Sequence, residues 1–225
     1  MEYIAIKDPT KREARDIFEN KILKKVREYL KRDFGKKKWK FEFFLVGSAK
    51  RNLILVGNEG FDLDYQLRFN KIPSNYLGKA QKTKLKLKEY FEDAFKELGF
   101  DLTNCEDSTH VLTTKKLDSK GQVIYSYDIA ILRYNSNSDY IILKNEKEGK
   151  GKEDYHYIQL SNCEDFNNKY KQINSSEKWK QLREIYKSKK EAVQNQCKDD
   201  RPHSFSLLGE TVNEVLQKNQ IKEKE

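Results

Sequence analysis

Cysteine, histidine and methionine are scarce in this chain: three, three and one among 225 residues. Cys105, Cys163 and Cys197 are odd in number and widely spaced, and no Cys-x-x-Cys occurs. A disulfide framework and a thiolate zinc site are thereby excluded, and a reducing cytosol is expected. His110, His156 and His203 form no His-x-x-His pair, so each reads as a surface or packing residue. No apolar run reaches membrane-spanning length, and the first residues lack the apolar core of a signal peptide. The expectation is a soluble, cytoplasmic protein with no membrane partner. No internal repeat is present.

What the chain does have is aromatic residues and charge. Thirteen Tyr, twelve Phe and two Trp must do much of the core filling. Charged residues make up 36% and the formal net charge is +9, from 45 Lys+Arg against 36 Asp+Glu. The excess is uneven: residues 7–40 carry fourteen Lys/Arg and six Asp/Glu, a net +8. Such a segment attracts phosphates, with RNA or another nucleic acid as one partner. A Lys-rich composition, 36 Lys to 9 Arg, accounts for the same excess without any ligand.

The order of elements implies an α+β fold. "DPTKREARDIFENKILKKVREYLKRDF" predicts one long helix over 9–34. Asp8 or Thr10 would cap it, Pro9 would sit in its first turn, and Gly35 would stop it. Its apolar stripe is Ala14, Ile17, Phe18, Ile22, Val26, Tyr29, Leu30 and Phe34. Strands are expected at 39–47, 61–67, 100–104, 108–117 and 122–134, with a hairpin turn at "DSKG". A second helix is expected over 75–98, ended by Gly99. A further hairpin, 139–145 with 154–160, would be joined by a mobile "EKEGKGKED". From residue 176 the pattern turns helical, with Trp179, Leu182, Ile185, Tyr186 and Val193 on one stripe. Past Pro202 come Phe205, Leu208, Val212, Val215 and Leu216, and then a frayed tail from Lys218. The layout is a core, 1–170, and a small C-terminal helical cap, 171–225.

Within "FEFFLVGSAKRNLILVGNEGFDLDYQL", strand alternation puts Asp62, Asp64 and Gln66 on one side and Phe61, Leu63, Tyr65 and Leu67 on the other. Two carboxylates so placed repel, and burying either alone costs several kcal/mol. A divalent cation removes both difficulties, and magnesium prefers carboxylate and phosphate oxygens. In "QVIYSYDIAILRY" Asp128 faces away from Tyr125, Tyr127, Ile129 and Ile131, between Ser126 and Ala130. If this strand lies beside 61–67, three carboxylates converge, a set able to hold two metals for in-line phosphoryl transfer. Gly47 lets backbone approach a ligand, and Ser48 adds a hydroxyl and an N–H beside it. Each piece alone is common: Asp-x-Asp decorates loops, Gly-Ser makes turns, and a strand Asp can be structural. Their order and placement on strands favour a site.

"VGSAKRNLILVGNEGFDLDYQL" followed by "YSYDIAIL" resembles the DNA polymerase beta-like nucleotidyltransferase superfamily. The spacing from Ser48 to Asp62 is similar to that of the cyclic GMP-AMP synthase-like branch and its bacterial relatives, and the long first helix resembles their spine helix. "EKWKQLREIYKSKKEAV" and "SFSLLGETVNEV" look like the C-terminal helices of small bacterial nucleotidyltransferases. The chain departs from the pattern in its small helical part, in the absence of a zinc-binding insertion, and in "AKRN" after Gly-Ser.

The resemblance implies a nucleotidyltransferase-type mixed sheet flanked by helices and an enzyme that passes a nucleotidyl group from an NTP to a hydroxyl, releasing pyrophosphate. Asp62, Asp64 and Asp128 would hold two Mg2+ ions, or Mn2+, and Asp128 would help remove the acceptor proton. Gly47 and Ser48 would seat the phosphates. Lys50 and Arg51 are the nearest basic groups; Lys180, Arg183 and Lys187 share a helix face, which solvation explains at least as well. Tyr65 and Tyr186 could stack on a base, yet both fit apolar stripes. Three acceptors stay open: another nucleotide, giving a cyclic or linear oligonucleotide, an RNA 3′ end, or a protein or small-molecule hydroxyl. A non-catalytic RNA-binding or antitoxin-like relative is the alternative from outside enzymes.

Overall fold

The apolar stripe of residues 9–34 does form a helical rod, and what it packs against decides the rest. The computed structural model describes residues 1–5, 7–36, 38–56, 60–134, 140–148, 152–160, 163–194 and 204–222. The rod runs as α1 (Pro9–Asp16), a π-helical turn (Ile17–Ile22) and α2 (Leu23–Phe34). Asp8 caps it by accepting from the Lys11 N–H at 3.0 Å, Pro9 starts it, and Gly35 ends it at φ +83°. The π turn is the one departure from the expected regular helix. At this point the Tyr127 hydroxyl donates to the Ala14 carbonyl at 2.7 Å, and a hydroxyl entering the ladder locally widens a helix.

The sheet has seven strands: β1 (Lys40–Leu45), β2 (Phe61–Lys71), β3 (Glu106–Asp107), β4 (Val111–Leu117), β5 (Val123–Tyr134), β6 (Tyr140–Glu148) and β7 (Lys152–Gln159). Its order is β1-β2-β5-β4-β3. The end of β5 pairs instead with β6, which pairs with β7. All ladders are antiparallel except β2–β5, which is parallel. A parallel pair needs a crossover, supplied here by α4 (Ala80–Glu97) and the following hairpin. The architecture is the expected α+β. No strand forms at 100–104; Thr103 instead donates its N–H to the Lys115 carbonyl at 2.9 Å, while its own hydroxyl and carbonyl accept from the Lys115 N–H and the Thr114 hydroxyl, so side chains replace a regular ladder. The second helix starts at Ala80, because a turn around Pro73–Gly78 takes the preceding residues. β6 and β7 reach Glu148 and Lys152, so much of "EKEGKGKED" is strand; residues 149–151 lie outside the described residues.

One face of the sheet carries the core. Phe18 is fully buried and stacks on Tyr65 (4.3 Å between ring centroids), Tyr127 (4.8 Å) and Phe91 of α4 (6.1 Å). Tyr65 and Tyr127 are therefore core residues, and Tyr65 spends its hydroxyl on Glu19 at 2.8 Å. The rod and α4 both lie on this face, which leaves the opposite face of β2 and β5 to other uses.

The chain divides into two compact units, Tyr3–Leu160 and a second made of Met1–Glu2 with Ser161–Glu225. The second contains α5 (Glu164–Lys171), α6 (Ser176–Gln194) and α7 (Ser204–Lys222). Leu182 and Tyr186 of α6 and Leu208, Val212 and Val215 of α7 are buried, while Phe205 is 46% exposed with its ring 4.7 Å from Phe166. α7 continues past Lys218 to Lys222. Cys197 and His203 lie outside the described residues. Among the described residues no helix is long and apolar enough to cross a membrane.

Removing the Phe18 ring deletes contacts with three other rings at once. Phe18→Ala is expected to lower stability by about 3–5 kcal/mol, measured by urea unfolding followed by circular dichroism.

Candidate active site

Alternation along β2 and β5 sends odd-numbered side chains into the core and even-numbered ones to the other face. The parallel register places Asp64 opposite Asp128 and Asp62 opposite Ser126. The three acids thus share one face of two adjacent strands. The Ser126 hydroxyl donates to Asp62 Oδ1. On the far side of β5, Thr113 of β4 stands opposite Asp128 and donates its hydroxyl to Asp128 Oδ1 at 2.6 Å. No side-chain hydrogen bond reaches Asp64 among the described residues. Its carboxyl is pushed up to about 7, first by burial, then by the charges of Asp128 and Asp62. Asp128 is raised as well, mainly by burial, with the Thr113 hydroxyl pulling the other way.

The Gly-Ser turn lies directly against this group. Val46 donates its N–H to the Asp64 carbonyl at 2.8 Å, so the end of β1 is fastened to β2 at the central acid. Gly47 then turns the chain at φ +63° and opens the short helix α3 (Gly47–Lys50). A Cβ on Gly47 would lie 1.9 Å from Asp64 Oδ2. Both the left-handed φ and the contact require glycine. Gly60 is constrained similarly, since its Cβ would meet the Val123 carbonyl at 2.5 Å where β2 enters beside β5. Ser48 is partly buried and its carbonyl accepts from the Leu53 N–H at 2.9 Å, which closes the turn.

The basic residues divide. Lys50 is exposed on α3, whereas Arg51 folds back to donate to the Gly47 carbonyl at 3.1 Å. Lys180, Arg183 and Lys187 sit on α6 in the second unit, where Lys187 approaches Glu191 at 3.9 Å. Tyr65 and Tyr186 are buried, at 1% and 3% exposure, and present no stacking face. Three groups escaped sequence reasoning. Thr113 and Ser126 hold the outer acids, and Lys11 lies buried with its Nζ 3.5 Å from Asn52 Oδ1, just past α3. Asn52 has φ +54°, so a polar anchor fixes a left-handed residue there. Lys11 shows no periodic signal of its own, because it reads as one of many solvated lysines.

Among the described residues no group of three or more His, Cys, Asp or Glu is arranged to hold a metal ion as it stands. The hydroxyls of Ser126 and Thr113 hold the outer acids instead. The donors nonetheless fit a hard divalent cation: all are carboxylates, and the central one is partly buried, unbonded and disfavoured as an anion.

No family model matches the chain, and no curated protein matches it either. Solved structures do. Vibrio cholerae DncV in its 3′-deoxy ATP bound form is 14% identical with a TM-score of 0.54, covering 92% of this chain and 63% of that one. Escherichia coli DncV in its 3′-deoxy GTP bound form is 15% identical with a TM-score of 0.55, covering 92% of this chain and 61% of that one. A third, Vibrio cholerae DncV described as a cyclic AMP-GMP synthase and prokaryotic cGAS homolog, is 14% identical with a TM-score of 0.53. It covers 92% of this chain and 64% of its own. The fold is that of cGAS-like bacterial nucleotidyltransferases, and this chain spans less than two thirds of the length of these neighbours.

An acid whose folded value lies above its ordinary 3.8 favours the protonated native state. Between about pH 4 and pH 7 the folded chain holds more protons than the unfolded one, so stability falls as pH rises through that window. The effect amounts to at most a few kcal/mol. Asp64→Asn is expected to flatten this decline and to raise the melting temperature at pH 8 in EDTA, read by thermal denaturation. Gly47→Ala is expected to lower stability by about 1–3 kcal/mol through the strained φ and the contact with Asp64, and chemical denaturation measures this.

Proposed function

We propose that the chain is a divalent-cation-dependent nucleotidyltransferase that moves a nucleotidyl group from an NTP to a hydroxyl. The observation that carries this reading is the register of Asp64 opposite Asp128, with Asp62 on the same face and Gly47 against Asp64. Asp62, Asp64 and Asp128 would hold magnesium, or manganese in its place, which when bound neutralises phosphate charge and acidifies a hydroxyl.

The chain's own groups supply positioning and proton transfer. Gly47 and Ser48 seat the phosphate end of the nucleotide, where the absence of a Cβ leaves backbone accessible next to Asp64. Lys50 is the nearest cation in sequence for the departing phosphates. The acceptor oxygen attacks the α-phosphorus, the bond to the β-phosphate oxygen breaks, and pyrophosphate leaves. The acceptor's proton passes to Asp128 Oδ2, because Oδ1 is engaged by Thr113. Burial raises Asp128 above the ordinary carboxylate value, with the Thr113 hydroxyl pulling the other way, and a raised carboxyl is a stronger base when ionised.

The preferred acceptor is a second nucleotide, giving a cyclic or linear oligonucleotide. Support comes from neighbours of the same fold, one described as a cyclic AMP-GMP synthase and others bound to 3′-deoxy ATP or 3′-deoxy GTP. One observation favours an RNA 3′ end instead, the net +8 of residues 7–40.

Incubating the protein with each labelled NTP and Mg2+ or Mn2+, with and without RNA, should release pyrophosphate and yield a short oligonucleotide. Asp62→Ala and Asp128→Ala should each reduce turnover by at least about a thousandfold while the circular dichroism spectrum is kept. Unchanged turnover in either variant sinks the assignment. Label that enters RNA alone moves the acceptor to the polymer.

A further inference from the structure

Lys84 of α4 is 1% exposed, and its ammonium is held entirely by the segment that leads into β4. Its Nζ lies 2.5 Å from Asp107 Oδ1 and donates to the Ser108 carbonyl at 2.6 Å. The Asp107 side chain is only 10% exposed, and its Oδ2 accepts from the Tyr155 hydroxyl of β7 at 2.8 Å. Taking two charges out of water is costly, and apolar residues of similar size would often serve stability as well. The best-attested use of such a buried pair is to select one register among several.

β4 is a strand whose register needs selecting. It reads Val-Leu-Thr-Thr-Lys-Lys over 111–116, three doublets in succession. Leu112 faces Ile129, Thr113 faces Asp128, Thr114 faces Tyr127 and Lys116 faces Tyr125 across the β4–β5 ladder. Leu112 and Thr114 are fully buried on the core side. Consider a slip of one residue that brings Leu112 opposite Asp128. Val111 then takes the place of Leu112 in the core, Thr113 that of Thr114, and Lys115 that of Lys116. The core receives like for like, so the usual penalty against slippage is nearly absent. The acid face does not: Asp128 loses the Thr113 hydroxyl, 2.6 Å away in the native register, and meets a leucine. The opposite slip would bury Lys115 in the place of Thr114 and is barred by that charge. The one register error the core tolerates is therefore the one that strips the third carboxylate of its partner.

We propose that Lys84 and Asp107 are positioning residues, whose buried pair holds β4 in the register that sets Thr113 beside Asp128. Asp107 pairs with Leu112 and Glu106 with Thr113, and the Ser108 N–H donates to the Val111 carbonyl at 3.0 Å, so the hairpin moves as a unit. A slip would carry Asp107 about 3.3 Å along the strand direction, away from Lys84 and Tyr155, and strand two buried charges. The consequence for catalysis rests on the nucleotidyltransferase reading; the register does not.

The test uses the full chain with Lys84→Met/Asp107→Leu. This variant should stay folded, with a melting temperature close to the parent's. Cross-strand nuclear Overhauser contacts should move from Thr113–Asp128 to Leu112–Asp128. Mn2+ affinity, read by calorimetry, should fall at least about tenfold, as in Thr113→Val. Adding Thr113→Val to the pair variant should cost nothing more. Adding Val111→Gln, an amide that a slip would bury, should restore both the native contacts and the affinity. A merely structural role for the pair predicts no such rescue. Native Thr113–Asp128 contacts with unchanged Mn2+ affinity in the folded pair variant overturn the proposal, and so does failure of Val111→Gln to restore them. Should the apolar pair not fold, Asp107→Asn, which keeps a partner for Tyr155 and removes the charge, is held to the same outcomes. Absence of Mn2+ binding by the parent chain counts against the proposed function alone, because the cross-strand contacts still decide the register.

Discussion

Like charges set opposite each other across a parallel strand pair are the constraint on which this structure turns. Asp64 and Asp128 are neighbours by register, and Asp62 is two residues away on the same face. Nothing in a sheet favours that arrangement. It persists because the other face of the same strands is locked. Tyr65 and Tyr127 are the odd-numbered residues next to Asp64 and Asp128, and both stack on Phe18. A one-residue slip of either strand would bury an acid in the aromatic cluster and expose a tyrosine, so the core enforces the crowding of the site. The tyrosine hydroxyls extend the lock to the helical rod, through Glu19 and the Ala14 carbonyl.

The residues around the acids follow from the same crowding. A carboxylate brought near two others needs donors or counter-charge. Ser126 and Thr113 supply donors to the outer two, leaving the central acid raised and unbonded. Space beside Asp64 is kept by the missing side chain of Gly47, which the Val46 to Asp64 backbone bond holds in place. The glycine therefore serves access as much as chain reversal. The likeness to DncV structures extends over 92% of the chain at 14–15% identity. A fold retained at that identity is specified by pattern more than by particular side chains, which agrees with alternation along two strands deciding the site.

That division explains what the sequence discloses. Period-two alternation around Asp62, Asp64 and Asp128 is local, so the shared face was legible once the two strands were taken as neighbours. Gly47 was legible as a residue that lets backbone approach a ligand, although its positive φ and its contact with Asp64 were not. Thr113 lies fifteen residues from Asp128 and meets it only through the β4–β5 register, which no local pattern encodes. The π turn answers a hydroxyl 113 residues away and is equally invisible from the helix sequence. Lys11 and Lys84 looked like solvated lysines. Both are buried, Lys84 at 1% exposure beside Asp107 at 2.5 Å, because their partners lie far along the chain. In a lysine-rich sequence the few buried ones carry no compositional mark.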